Sequence, residues 1–191
     1  MNVLVAYATH HEATREIAER IGAVLGGLGL GVSVEQADRV RDVHRFDAFV
    51  VGSALYCGWL KEAVDFVQRN KTVLAGSPVW LFSSGPLGTG TVDAQGRDVA
   101  EASTPREIAR LREMVHARDH HVFFGAFDPT ARPVGFLERT FRLVPNNAAM
   151  LQAGDFRDWA EIGAWAQAIG GELTVERRPD GWQTADAGRS R

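Results

Sequence analysis

The chain has 191 residues, a formal net charge of −3, 45% apolar and 24% charged residues, and one cysteine, Cys57. That length accommodates one domain with a well-formed core. The acidic balance argues against nucleic acid as the main partner, because phosphate binding needs a basic excess, and a lone cysteine excludes an internal disulfide framework and a cysteine-based zinc site. The N-terminus enters an apolar run at once with no basic leader, and no apolar stretch approaches the roughly 20 residues that span a bilayer. The expectation is a cytoplasmic protein without a transmembrane segment, with residues 1–175 as one domain and the polar stretch 176–191 as a flexible tail.

Strands and amphipathic helices alternate along the chain. Val3 to Tyr7 is a continuous apolar run, as for a strand buried on both faces. A polar loop, Ala8 to Ala13, leads into a helix with Ile17, Ile21, Val24, Leu25 and Leu28 on one face, stopped by Gly26, Gly27 and Gly29. Val32 to Glu35 is a short second strand, and Arg39 to Asp47 a polar connector. Ala48 to Gly52 is a third, buried strand. Leu60, Ala63, Val64 and Val67 then mark a helix. Val79 to Phe82 is the fourth strand, followed by a long loop to about Ser103. Thr104, Pro105 and Glu107 predict a helix start with a capping box. His121 to Phe127 reads as the fifth strand. Val134, Leu137, Phe141 and Val144 have helical spacing, with Arg139 and Arg142 beside them; this is an extra packed helix or a basic amphipathic element in peripheral contact with a membrane, quinone or protein. The last helix is predicted from about Asp155, with Trp159, Ile162, Trp165 and Ile169 on its buried side.

This alternation implies βαβ crossovers and a three-layer, doubly wound α/β fold around a five-stranded parallel sheet. In such sheets ligands bind beyond the carboxyl ends of the strands, where strand order reverses. Three loops qualify. In the first, Thr9-His10-His11-Glu12-Ala13-Thr14 opens a helix, whose free N–H groups and dipole attract an anion; the alternative is that Thr9 and Thr14 merely cap the helix. The second runs from Ser53 to Trp59: Tyr56 or Trp59 offers an aromatic face, Gly58 lets backbone approach, and Cys57 has no base placed beside it by sequence. The third begins Ser83-Ser84-Gly85-Pro86-Leu87-Gly88-Thr89-Gly90, where glycines suggest close approach of backbone to a ligand. No acidic cluster follows the first strand, against a response regulator, and the dinucleotide fingerprint is missing there, against a nicotinamide enzyme.

Residues 7–18, together with Val50 to Gly58, Phe66-Val67, Pro78 to Gly88 and Gly154-Asp155-Phe156-Arg157-Asp158-Trp159, resemble the flavodoxin-domain family, in particular the group that includes menaquinone-dependent protoporphyrinogen IX dehydrogenases. The resemblance spans roughly residues 1–173. It implies the strand order 2-1-3-4-5 and FMN as cofactor, with the phosphate at Thr9, His10, His11, Glu12, Ala13 and Thr14. The isoalloxazine would lie between Ala54, Leu55, Tyr56, Cys57 and Gly58 on one side and Ser83, Ser84, Gly85, Pro86, Leu87 and Gly88 on the other. The flavin carries the chemistry, so no catalytic side chain is implied. Two positions depart from the family. The family pattern in the first loop is T-x-T-G-x-T; His11 occupies the inner threonine position and Glu12 the glycine position. A carboxylate beside a phosphate costs about 1 kcal/mol or more, and glycine at such turns often supplies a positive φ that glutamate adopts poorly.

Two functions follow as expectations. The first is an FMN-dependent oxidoreductase or electron carrier, serving a redox partner or oxidising a porphyrinogen-like substrate with a quinone acceptor. The second is a binding or regulatory module on the same fold in which Glu12 has weakened or abolished FMN binding.

Overall fold

The computed structural model describes residues 1–55, 58–85, 96–127 and 154–176. Expectations for Tyr56, Cys57, Pro86, Leu87, Gly88, the 134–144 segment and the tail beyond residue 176 lie outside these described residues. In chain order the elements are β1 (Asn2–Ala8), α1 (Glu12–Gly27), β2 (Gly31–Gln36), β3 (Ala48–Ala54), α2 (Lys61–Arg69), α3 (Lys71–Ala75), β4 (Val79–Ser84), α4 (Val99–Ala102), α5 (Arg106–Val115), β5 (Asp119–Phe123), β6 (Ala126–Phe127), β7 (Gly154–Asp155) and α6 (Trp159–Glu176).

The apolar runs of β1, β3 and β4 become the interior of a parallel sheet with order β2-β1-β3-β4-β5. Successive side chains of a strand point to opposite faces, and both faces are covered. Val3, Val5 and Tyr7 enter one core with Ile17, Ile21 and Leu25 of α1 and Ile162, Ile169 and Leu173 of α6. Leu4, Ala6 and Ala8 enter the other with Phe66 of α2, Leu74 of α3 and Leu111 of α5. This two-sided burial is the reason the strand sequences carry no polar alternation.

Helix α1 ends as its glycines predict. Gly29 takes φ 81°, its N–H reaches Gly26 O, and Leu30 N–H reaches Leu25 O, a Schellman closure. Leu28, expected on the buried face, is 44% exposed at the C-terminal cap of α1, with its Cδ1 against Gly170 of α6. Helix α6 starts at Trp159 rather than near Asp155, because Asp158 caps it, accepting from the N–H groups of Ala160 and Glu161. Trp159 consequently lies on the outer side, 38% exposed, while Gly163, Ala166 and Gly170 join Ile162, Ile169 and Leu173 inside.

The predicted fifth strand splits in two. Asp119–Phe123 pairs with β4, but Ala126–Phe127 leaves the sheet and pairs antiparallel with Gly154–Asp155. The break comes at Gly125, whose backbone packs against Gly85. Among the described residues, no helix is long and apolar enough to cross a membrane.

One close contact sits inside the sheet. Gly52 pairs with Phe82 across β3 and β4, and a Cβ at Gly52 would lie 2.0 Å from Phe82 Cζ. Phe82 is fully buried among Phe123 and Trp165 and has no room to retreat. Gly52→Ala is therefore expected to destabilise the chain by about 1–3 kcal/mol through overpacking, measured by urea unfolding, and Phe82→Leu added to it to recover part of the loss.

Candidate functional site

The parallel register brings the carboxyl ends of the strands together: Ala8 lies beside Ser53, Ala54 beside Ser84, and Ser84 beside Phe123. The three loops singled out in the sequence all leave from this edge.

In the first loop, the Thr9 hydroxyl accepts the His11 N–H at 3.2 Å and donates to the His11 carbonyl. Thr9 therefore shapes the turn. His11 stands at the cap position of α1 with extended backbone (φ −128°, ψ 171°) and contributes no side-chain cap bond to the helix. The first N–H groups of a helix have no intrahelical partner, so those of Glu12, Ala13 and Thr14 form the donor set of this turn, at the positive end of the α1 dipole. Thr14 is buried on the inner face of the helix.

Glu12 does not obstruct this cradle. Its carboxylate is 65% exposed and paired with Arg15 at 2.5 Å, one turn along α1. Nor does it need a glycine-like backbone: among the described residues, the one non-glycine with positive φ is His116. The charge is turned away and partly neutralised, and the turn fits an anion such as a phosphate.

In the second loop, Leu55 and Trp59 form an antiparallel bridge. Polar groups from three elements tether it. Ser53 Oγ of β3 accepts the Leu60 N–H at 2.9 Å, Ser84 O of β4 accepts the Leu55 N–H at 2.8 Å, and Glu107 Oε1 of α5 accepts the Trp59 N–H at 2.7 Å. The Trp59 ring is buried in the core, with Nε1 donating to Ser83 Oγ at 2.7 Å. Trp59 is thus an anchor of the turn, and the aromatic face considered for it is not presented to a ligand.

In the third loop, Ser83 is fully buried, and its hydroxyl is shared by Trp59 and His120. The space beside Gly85 is taken by Leu55, whose Cβ lies 2.3 Å from where a Gly85 Cβ would stand. At Gly85 the close approach is thus made by the protein's own side chain. A cavity of about 350 Å³ borders the second loop, lined by Leu55 and Gly58 and by Ala102, Ser103, Thr104, Pro105, Arg106 and Glu107.

His120 Nε2 lies 2.8 Å from Ser83 Oγ. Burial and the nearby Arg112 cation push its pKa down from 6.5 to about 4, against a smaller opposing pull from Asp119, with His121 adding to the depression. The imidazole is neutral at neutral pH. With its proton on Nδ1, it accepts from the Ser83 hydroxyl, which in turn accepts from the Trp59 indole.

Arg157 was legible only as part of the Gly154–Trp159 stretch, with no role attached. Its guanidinium, 8% exposed, donates to Asp155 Oδ1 and Oδ2 at 2.7 Å each, to Glu16 Oε2 at 2.6 Å and to Ala13 O at 3.3 Å. It also lies 4.5 Å from the Trp159 ring centroid. Arg157 holds the Asp155 carboxyl below its ordinary pKa, chiefly through this side-chain hydrogen bond. The C-terminal segment is thereby locked against the first turn of α1. Among the described residues there is no cluster of histidine, cysteine or acidic side chains that could hold a metal ion.

Two outcomes follow. Arg157→Ala should cost about 1–3 kcal/mol, because Asp155 and Glu16 are left without their partner yet remain half-exposed, read as a lowered melting temperature. For His120, the folded pKa lies below the ordinary value, so the unfolded chain binds more protons under acid. Its contribution to stability is complete above about pH 6.5 and is lost as pH falls toward about 4. His120→Gln should flatten the stability profile in that window relative to the parent, measured by urea unfolding at a series of pH values.

The sequence profile of the flavodoxin domain matches residues 4–140. A search of curated protein sequences finds no match. Among solved structures, oxidised Flavodoxin 2 from Bacillus cereus is similar at 18% identity and TM-score 0.57, covering 90% of this chain and 99% of that one. A flavodoxin from the domain Archaea is similar at 17% identity and TM-score 0.54, covering 91% and 99%. Rubredoxin:oxygen oxidoreductase from Desulfovibrio gigas is similar at 13% identity and TM-score 0.55, covering 93% of this chain and 37% of that one. The neighbours agree in fold with the 2-1-3-4-5 sheet, and with the profile match over most of its length, the chain belongs to the flavodoxin domain family.

Proposed function

We propose that this chain is an FMN-dependent oxidoreductase or electron carrier. Membership of the flavodoxin domain family and the flavodoxin neighbours point to FMN as the cofactor. The observation that carries the reading is the first turn of α1: three helix N–H groups at the sheet's carboxyl edge, with the Glu12 carboxylate turned out to Arg15. In this reading the N–H groups of Glu12, Ala13 and Thr14 hold the phosphate. The ring is held between the tethered turn flanked by Leu55 and Gly58 on one side and the strand end at Ser84-Gly85 on the other. FMN, when bound, supplies one- and two-electron transfer. The chain's residues bind it, orient it and fix the dipoles around it.

The outward turn of Glu12 removes the main support for a module that has lost FMN. A porphyrinogen-like substrate with a quinone acceptor is the finer proposal, supported by sequence resemblance alone. A second member of the same class, a protein redox partner, needs no substrate pocket at all. Placement in the cytoplasm and the reading of residues 1–175 as one domain belong to the same proposal.

The purified protein should be yellow and release FMN on denaturation. A colourless protein that takes up no added FMN contradicts the reading. The phosphate position has a separate test. Proline is tolerated at the first position of a helix and removes only an N–H that has no intrahelical partner, and His11 already has the extended backbone that precedes proline. Glu12→Pro should therefore leave α1 intact while weakening FMN binding by about tenfold, the worth of one charge-assisted hydrogen bond. Glu12→Ala, which keeps the N–H and removes the carboxylate, should bind at least as tightly as the parent. Equal affinities for the proline and alanine variants, measured by flavin fluorescence quenching, would place the phosphate elsewhere.

A further inference from the structure

The sequence reads Glu107 as half of a capping box reaching back to Thr104. The structure uses it otherwise. Helix α5 begins at Arg106 with Pro105 at the cap position and no side-chain cap bond. The Glu107 carboxylate instead crosses to the Gly58–Trp59 turn, 48 residues away in sequence, where Oε1 accepts the Trp59 N–H at 2.7 Å.

Gly58 is shaped around this carboxylate. It has φ 146°, and a Cβ there would lie 2.5 Å from Glu107 Oε1 and 3.6 Å from Oε2. Glycine at this position thus serves two purposes: the backbone angle, and the space into which the carboxylate reaches. Both residues line the same cavity of about 350 Å³. The other N–H groups at the ends of the turn are satisfied from beneath, that of Leu55 by Ser84 O and that of Leu60 by Ser53 Oγ. Among the described residues of the turn, the Trp59 N–H is the one held from the side of the cavity, by a charged acceptor.

We propose that Glu107 is a positioning residue for the cofactor turn. Its carboxylate fixes the orientation of the Gly58–Trp59 peptide and ties that turn to the wall formed by α4 and α5, so that both move as one body when the ring site fills or empties. The role rests on the reading of the Gly58 turn as part of the FMN site. The pairing of a left-handed glycine with a carboxylate from another element makes the two positions interdependent.

The test uses the full chain and two readouts: hydrogen exchange of the Trp59 backbone amide in the FMN-free protein by NMR, and FMN affinity by fluorescence titration. Glu107→Ala is expected to speed Trp59 exchange by about tenfold and weaken FMN binding by a similar factor, as expected for loss of a charge-assisted hydrogen bond. Glu107→Gln, whose amide oxygen accepts the same bond, restores both to within about threefold. Gly58→Ala, which drives the carboxylate out, weakens FMN binding in the parent and less so in the Glu107→Ala background, because part of its cost is the clash with Glu107. Unchanged Trp59 protection in Glu107→Ala, or lost protection with unchanged FMN affinity, overturns the proposal. A parent protein that binds no FMN overturns the cofactor reading and this role together, whereas a parent that binds normally alongside an equally competent Glu107→Ala overturns this role alone. Unfolding curves of each variant separate these effects from a failure to fold.

Discussion

Burial of β1, β3 and β4 on both faces is the constraint from which the rest follows. A strand with apolar side chains on both sides is stable only in the middle of a sheet covered twice, and parallel pairing with covering helices is the arrangement that crossover connections permit. Once β1 and β3 lie side by side in the centre, with β2 beyond one and β4 beyond the other, their outgoing loops diverge to opposite faces of the sheet. The gap at that divergence is a consequence of topology, and α1 places its amino terminus there.

The edge is then made rigid by polar groups that the apolar core cannot supply. Ser53 and Ser83 sit just beneath the loops and accept a backbone and an indole N–H, and His120 in turn accepts the Ser83 hydroxyl. Each is an obligatory partner, since an unpaired polar group at such depth costs about 1–3 kcal/mol. Arg157 does the corresponding task on the other side of the sheet, pressing the C-terminal segment against the first turn of α1. A ligand that binds at a pre-formed edge of this kind costs little conformational entropy.

Local patterns exposed the scaffold well. Uninterrupted apolar runs marked three of the five sheet strands, and glycines marked the end of α1, because these signals depend on neighbours in the chain. The fifth strand was drawn too long: Phe124 to Phe127 is as apolar as the true strand, and only the partner across Gly125 shows where the chain turns away. Trp159 and Leu28 have helical spacing yet stay partly exposed, since spacing does not reveal which part of a helix the core covers. At the site, the loops were legible as breaks in pattern with suggestive residues, and the worry over Glu12 was legible too. Its resolution was not, because it depends on the side chain of Arg15 and a backbone angle. Glu107, His120 and Arg157 escaped for a common reason: each acts on a residue 37 or more positions away in sequence, where a local motif offers no clue.

We propose that the amino terminus of α1 is an anion cradle for the cofactor's phosphate. Titrating the flavin-free protein with FMN and with riboflavin, which lacks the phosphate, tests it most directly. Tighter binding of FMN by about a hundredfold or more is predicted, the worth of two charge-assisted hydrogen bonds. Equal affinity for the two flavins would contradict it.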